Sequence, residues 1–74
     1  MPIKVASKNT ARPLINKGVC LGISDFWLGG FTDKINTDSN GEVHFDIKPC
    51  NGKVYVDGKE VYRGRIDEKM LLYV

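Results

Sequence analysis

The sequence predicts an all-β chain, a small antiparallel β-sandwich of about seven short strands. Three observations predict it. Apolar and polar residues alternate with period two along most of the chain, as half-buried strands require. The alternating stretches are short, and turn residues separate them at intervals of about 8–12 positions, the spacing of a sandwich or small barrel. No stretch repeats apolar residues at i, i+3 and i+4 beyond two turns, so no helix competes. A small β-barrel is the alternative architecture. With 74 residues there is room for one domain, residues 1–74, built on one core.

In order along the chain, Ile3 and Val5 alternate with Lys4 and Ala6 as a first strand. The polar stretch Ser7 to Arg12 and Pro13 then make a loop. Val19, Leu21 and Ile23 form the apolar side of a second strand. Its other side carries Cys20 and Gly22, small residues that imply either tight cover or light packing. Asp25 to Leu28 holds Phe26 and Trp27 and breaks at Gly29-Gly30. Phe31, Asp33 and Ile35 alternate in a third segment, with one charge on the apolar side. Phe31 and Phe45 are most simply core.

Thr37-Asp38-Ser39-Asn40-Gly41 is a dense turn signal. Asp38 can close an Asx-turn and Gly41 can supply a positive φ. Val43, Phe45 and Ile47 follow as the cleanest strand, with His44 pointing to solvent between them. Pro49 ends it, and Cys50-Asn51-Gly52 reads as a second turn. Val54 to Tyr62 is the best hairpin, closing on Asp57-Gly58 or on Gly58-Lys59. Either closure sets Val54, Val56 and Val61 on one face and Tyr55 and Tyr62 on the other. After the polar turn Asp67-Glu68-Lys69, Met70 to Val74 is apolar on both sides, so it is expected to be central in a sheet or covered.

Charge and cysteines narrow the function classes. Net charge is +2, and eleven Lys and Arg residues are interleaved with nine acids. No block of five like charges marks a nucleic-acid footprint. Cys20 and Cys50 stand thirty positions apart; a disulfide depends on compartment and on reach, and both stay open. No secretory leader is visible, which implies a cytoplasmic protein if the chain is complete. The longest apolar runs fall far short of the roughly 20 residues that cross a membrane as a helix.

No catalytic or metal constellation stands out. His44 is the single histidine, and a titratable side chain needs a specific partner to become catalytic. Cys20, His44 and Cys50 are too loosely spaced to read as zinc ligands. Gly29-Gly30 lacks the following helix and Lys-Ser/Thr pair of a phosphate loop. No enzyme, cofactor or metal is expected. The aromatic residues are the better candidates. Trp27 follows Phe26, so one of the two faces outward in a regular strand. Tyr55 and Tyr62, with Arg63 and Arg65 nearby, would join it in a partner-binding surface, since Trp, Tyr and Arg dominate interface hot spots.

Three stretches taken together resemble one family. Pro13-Leu14-Ile15-Asn16-Lys17-Gly18-Val19-Cys20-Leu21 is similar to the P-L-x-G/K-V-x-V/L opening of carboxypeptidase-regulatory-like domains, which are prealbumin-like β-sandwiches. Thr37 to Phe45 resembles their T-D-x-x-G-x-(F/V)-x-F turn and strand. Val54-Tyr55-Val56 and Met70 to Val74 sit where the family has its Y-x-V and final strands. The resemblance implies a prealbumin-like sandwich that serves as an accessory, adhesive or partner-binding module. Tyr62-Arg63-Gly64 is also similar to part of the Y-R-G-S terminus of transthyretin-related hydroxyisourate hydrolases. Here Arg65 replaces the serine, ten residues follow Gly64, and those enzymes use more than one histidine, so the hydrolase reading is not adopted.

The expected function is therefore a non-catalytic protein-binding or accessory module that works through an exposed sheet edge or through Trp27, Tyr55 and Tyr62. The alternative is a small β-barrel that binds single-stranded nucleic acid with Lys53, Arg63, Arg65 and Tyr55. A stand-alone phage or mobile-element protein that inhibits or adapts a host protein is a weaker reading. An edge strand as apolar as Met70 to Val74 would need cover, which a homodimer could supply.

Overall fold

The computed structural model describes residues 2–24 and 30–74. Its eight strands form two sheets. The smaller has β5 (Glu42–His44), β1 (Pro2–Ala6) and β8 (Met70–Tyr73) in that order. The larger has β3 (Gly30–Phe31), β2 (Gly18–Ile23), β6 (Cys50–Val56) and β7 (Lys59–Ile66), with β4 (Ile35–Asn36) also on β2. The chain is all-β, and a small sandwich fits it as the alternation predicts. One pairing departs from a fully antiparallel plan: β1 and β8 run parallel.

Alternation decides what the sheets enclose. Ile3, Val5, Val43 and Leu72 face inward from the small sheet. Val19, Leu21, Val54, Val56 and Ile66 face them from the large one, and Phe45, just past β5, completes the cluster. Thr37 ties the loop before β2 to the loop after β4. Its hydroxyl donates to the Leu14 carbonyl at 2.7 Å and accepts the Lys17 N–H at 2.9 Å.

The turn chemistry is as the sequence implies. Asp38 accepts the N–H groups of Asn40 and Glu42 at 2.8 and 3.0 Å, and Gly41 has φ 75°. A side chain at Gly41 would press on the Val5 carbonyl, because the Val5 N–H donates to the Gly41 carbonyl at 2.8 Å. The hairpin closes on Asp57-Gly58. Both residues have positive φ, 50° and 83°, which makes the two-residue turn whose twist suits a hairpin.

The third segment is two short strands rather than one, and β5 stops at His44, short of Phe45 and Ile47. Four further expectations fail, each for an identifiable reason. First, Tyr55 and Tyr62 do not share a face. β7 pairs Lys59 with Val56 and Glu60 with Tyr55, and then sets Tyr62 opposite Val54. Val61 is the extra residue of a β-bulge, and a one-residue slip exchanges the faces of all that follows. Second, Phe31 is not core. It lies opposite Gly22, on the side away from Leu21, and is 73% exposed. Third, Cys50-Asn51-Gly52 is strand rather than turn. Gly52 is needed there for close packing, because a Cβ would run into the Gly22 carbonyl. Fourth, β8 is not central: it is an edge of the small sheet.

Candidate functional site on the outer face of the large sheet

The outer face of the large sheet carries the most unusual surface in the described chain. It begins with the small side of β2. Gly22 leaves a gap between its neighbours, Phe31 on β3 and Lys53 on β6. Phe31 and Tyr55 close over that gap with ring centroids 5.8 Å apart and planes tilted by 55°. A Cβ on Gly22 would sit 3.1 Å from the Phe31 ring and 3.2 Å from the Tyr55 ring. The glycine thus lets the rings approach the backbone, and they cover it in return.

Local hydrogen bonds hold the Phe31 side of the pair. The Thr32 N–H donates to the Leu21 carbonyl, and the Thr32 hydroxyl accepts the Leu21 N–H, both at 2.9 Å. The Cys20 thiol donates to the Thr32 carbonyl at 3.2 Å. Phe31 is therefore displayed on a fastened backbone even though its ring is mostly in water.

The bulge at Val61 supplies the charged part. Had β7 kept its starting register, Arg63 would lie opposite Gly52 and Arg65 opposite Cys50, on the core face. Beyond the bulge Arg63 lies opposite Lys53 and Arg65 opposite Asn51, on the same outer face as Tyr55. Tyr62, Gly64 and Ile66 take the inward positions. The Tyr62 hydroxyl donates to the Arg65 carbonyl at 2.6 Å, which fixes the strand just beyond the bulge.

The cations are partly balanced. Glu60 reaches Lys53 at 3.6 Å and Arg63 at 3.3 Å, and Arg65 reaches Asp67 at 3.4 Å. These pairs are exposed and contribute little to stability. They do set the surface character, a ring pair beside three cations and two acids. The hollow between Gly22, Phe31, Lys53 and Tyr55 holds only about 140 Å³, well below the 300 Å³ or so of a ligand pocket. The surface can receive a side-chain tip from a broader partner, not a whole small molecule.

Of the residues singled out in the sequence, Tyr55, Arg63 and Arg65 share this face and Tyr62 is turned to the core. Trp27 lies outside the described residues. Sequence reasoning missed Phe31; the small residues at 20 and 22 left tight cover and light packing of that side of β2 both open.

The other surfaces offer less. The outer face of the small sheet has a depression of about 410 Å³ lined by Lys4, Glu42, His44, Lys69 and Leu71 among others. His44 meets Glu42 at 3.8 Å there, and no Ser, Thr or Cys nucleophile lines it. Cys20 and Cys50 are not joined, since they stand on opposite faces of the large sheet. Among the described residues no three His, Cys, Asp or Glu side chains cluster as metal ligands, and no helix is long and apolar enough to cross a membrane. Comparison with protein-family models, curated proteins and solved structures found no match.

Proposed function

We propose that the chain is a non-catalytic protein-binding module and that its binding surface is the outer face of the large sheet, centred on Phe31 and Tyr55. One observation carries this reading: a mostly exposed phenylalanine is held by backbone hydrogen bonds against a tyrosine, with two arginines on the same face. Interface hot spots are enriched in aromatic residues and Arg, and mixed charges around them form a polar rim. The carboxypeptidase-regulatory-like resemblance fits the same reading, since such modules act beside other proteins. A single-stranded nucleic acid would also stack on the rings. It is less favoured because Glu60 and Asp67 sit among the cations that phosphates would need.

The test is retention of proteins from a lysate on immobilised wild type, Phe31→Ala, Tyr55→Ala and Arg63→Glu, with Lys4→Ala on the opposite sheet as control. A defined set held by wild type and the control and lost by the three variants supports the reading. Equal retention by all five contradicts it. Fluorescence anisotropy with single-stranded oligonucleotides at low salt tests the other ligand class. Tight, steeply salt-dependent binding that Tyr55→Ala abolishes would move the assignment to nucleic acid.

A further inference from the structure

The chain holds two Asn-Gly pairs, Asn40-Gly41 and Asn51-Gly52, and the fold gives them opposite settings. Asparagine is a thermolabile residue, and its amide is most open to attack by the next backbone nitrogen when glycine follows. Glycine puts no side chain beside that nitrogen. Asn9, Asn16 and Asn36 precede Thr10, Lys17 and Thr37, whose side chains crowd the approach.

Asn40 stands in the turn between β4 and β5. Residues 38–40 are exposed, and the Asn40 carboxamide has no hydrogen-bond partner among the described residues. The Gly41 N–H donates to the Asp38 carbonyl at 3.0 Å. Attack breaks that bond and turns the peptide after Asn40 so that its nitrogen meets the side-chain carbonyl carbon. Local opening of an exposed turn costs far less than opening a core strand. Asn51 is in such a strand. β6 is paired on both sides, with Asn51 opposite Arg65 and Gly52 opposite both Gly64 and Ile23. The Gly22 carbonyl lies so close to Gly52 that not even a Cβ has room there.

We propose that Asn40 is a site of spontaneous deamidation, which alters the β4–β5 turn as the protein ages, and that the fold protects Asn51. The Gly41 amide nitrogen loses its proton to solvent base and attacks Cγ of Asn40. The new N–C bond closes a succinimide ring, the carboxamide C–N bond breaks, and its nitrogen leaves as ammonia, taking up a proton in place of the one lost. Water then adds to one of the two ring carbonyls. Opening at the side-chain carbonyl gives aspartate; opening at the main-chain carbonyl gives isoaspartate. The sum is carboxamide plus water to carboxylate plus ammonia, with no oxidation or reduction.

Both products add one negative charge, so the net charge of +2 becomes +1. The new carboxylate follows Asp38 by two residues, in the turn that Asp38 holds through the N–H groups of Asn40 and Glu42. Isoaspartate also lengthens the main chain by one atom just before Gly41. That glycine is tied to β1, since its carbonyl accepts the Val5 N–H at 2.8 Å, and a Cβ on it would press on the Val5 carbonyl. The longer link therefore disturbs the attachment of the turn to β1.

The test is to age the whole chain at mildly alkaline pH and follow it by isoelectric focusing and by tandem mass spectrometry that separates aspartate from isoaspartate. A more acidic form should accumulate with conversion at residue 40, and residue 51 should convert more slowly by on the order of a hundredfold. In concentrated urea the two should convert at similar rates, because only the fold distinguishes them. Asn40→Gln should fold and stay unconverted at that position. The aged protein should melt below fresh wild type, and below Asn40→Asp, which gains the charge without the longer backbone. Conversion at residue 51 as fast as at 40 in the folded chain would overturn the proposal. So would a residue 40 that converts in urea but not in the folded chain, or an aged protein with an unchanged melting temperature.

Discussion

Among the described glycines, Gly52 is the one whose added methyl group would come nearest to backbone. Its Cβ would enter the space of the Gly22 carbonyl, and backbone yields less readily than a flexible side chain. Gly52→Ala should cost about 1–3 kcal/mol, the usual range for overpacking, measured by urea denaturation. Glycine was legible there as a breaker, and so it read as a turn. Only the pairing of β6 with β2, which sets Gly52 opposite Ile23 and against the Gly22 carbonyl, shows that the position is a close approach. Asp38 was legible in full, because an Asx-turn is local chemistry that sequence neighbours complete by themselves. The N–H groups of Glu42 and then Asn40 stabilise its carboxylate and hold its pKa below the ordinary value. A depressed pKa gives stability that is present above the unfolded-state value and lost as pH falls through the folded one. The melting temperature should therefore drop below about pH 4, and part of that drop should vanish in Asp38→Ala, which is less stable than wild type at neutral pH.

Among the elements, β7 decides what the outer face contains. Its bulge at Val61 was not legible, because period-two alternation assumes an unbroken ladder. The Asp57-Gly58 turn correctly set the first pairs, Val56 with Lys59 and Tyr55 with Glu60, and one inserted residue then exchanged the rest. A hint was present all the same. The plain register would have buried Arg63 and Arg65 and exposed Ile66, which no sandwich core tolerates. Deleting Val61 removes the extra residue and leaves Tyr62 opposite Val54 and Arg63 opposite Lys53, so the variant should keep a cooperative thermal transition with the arginines still outside. The milder Tyr62→Phe removes the 2.6 Å bond to the Arg65 carbonyl and should cost about 0.5–1.5 kcal/mol by urea denaturation. The strand around Phe31 illustrates the opposite limit of sequence reading. A phenylalanine in an alternating segment reads as core, and only its partner, Gly22, places it outside.

For the whole molecule, the fold class was legible and the binding surface only half so. Alternation reports which residues share a strand face, and nine of the ten buried side chains of the core are ones it picked out; Ile66, beyond the bulge, is the exception. It does not report which strands become edges, and that was the error with β8. A core of this size supports roughly 3–5 kcal/mol of net stability. Leu21→Ala, which empties a fully buried position, should cost about 2–5 kcal/mol and leave the chain largely unfolded at 37 °C by circular dichroism. So small a chain has little interior for a reaction centre, and its outer faces are where function is to be sought. The most direct measurement replaces Phe31 with a photoreactive benzoyl-phenylalanine and irradiates the protein in its native cell extract. The account predicts crosslinking to a specific protein, abolished by Tyr55→Ala in the same chain and not reproduced by the same label at Lys4. Crosslinking to nucleic acid alone, or the same pattern from both positions, would contradict it.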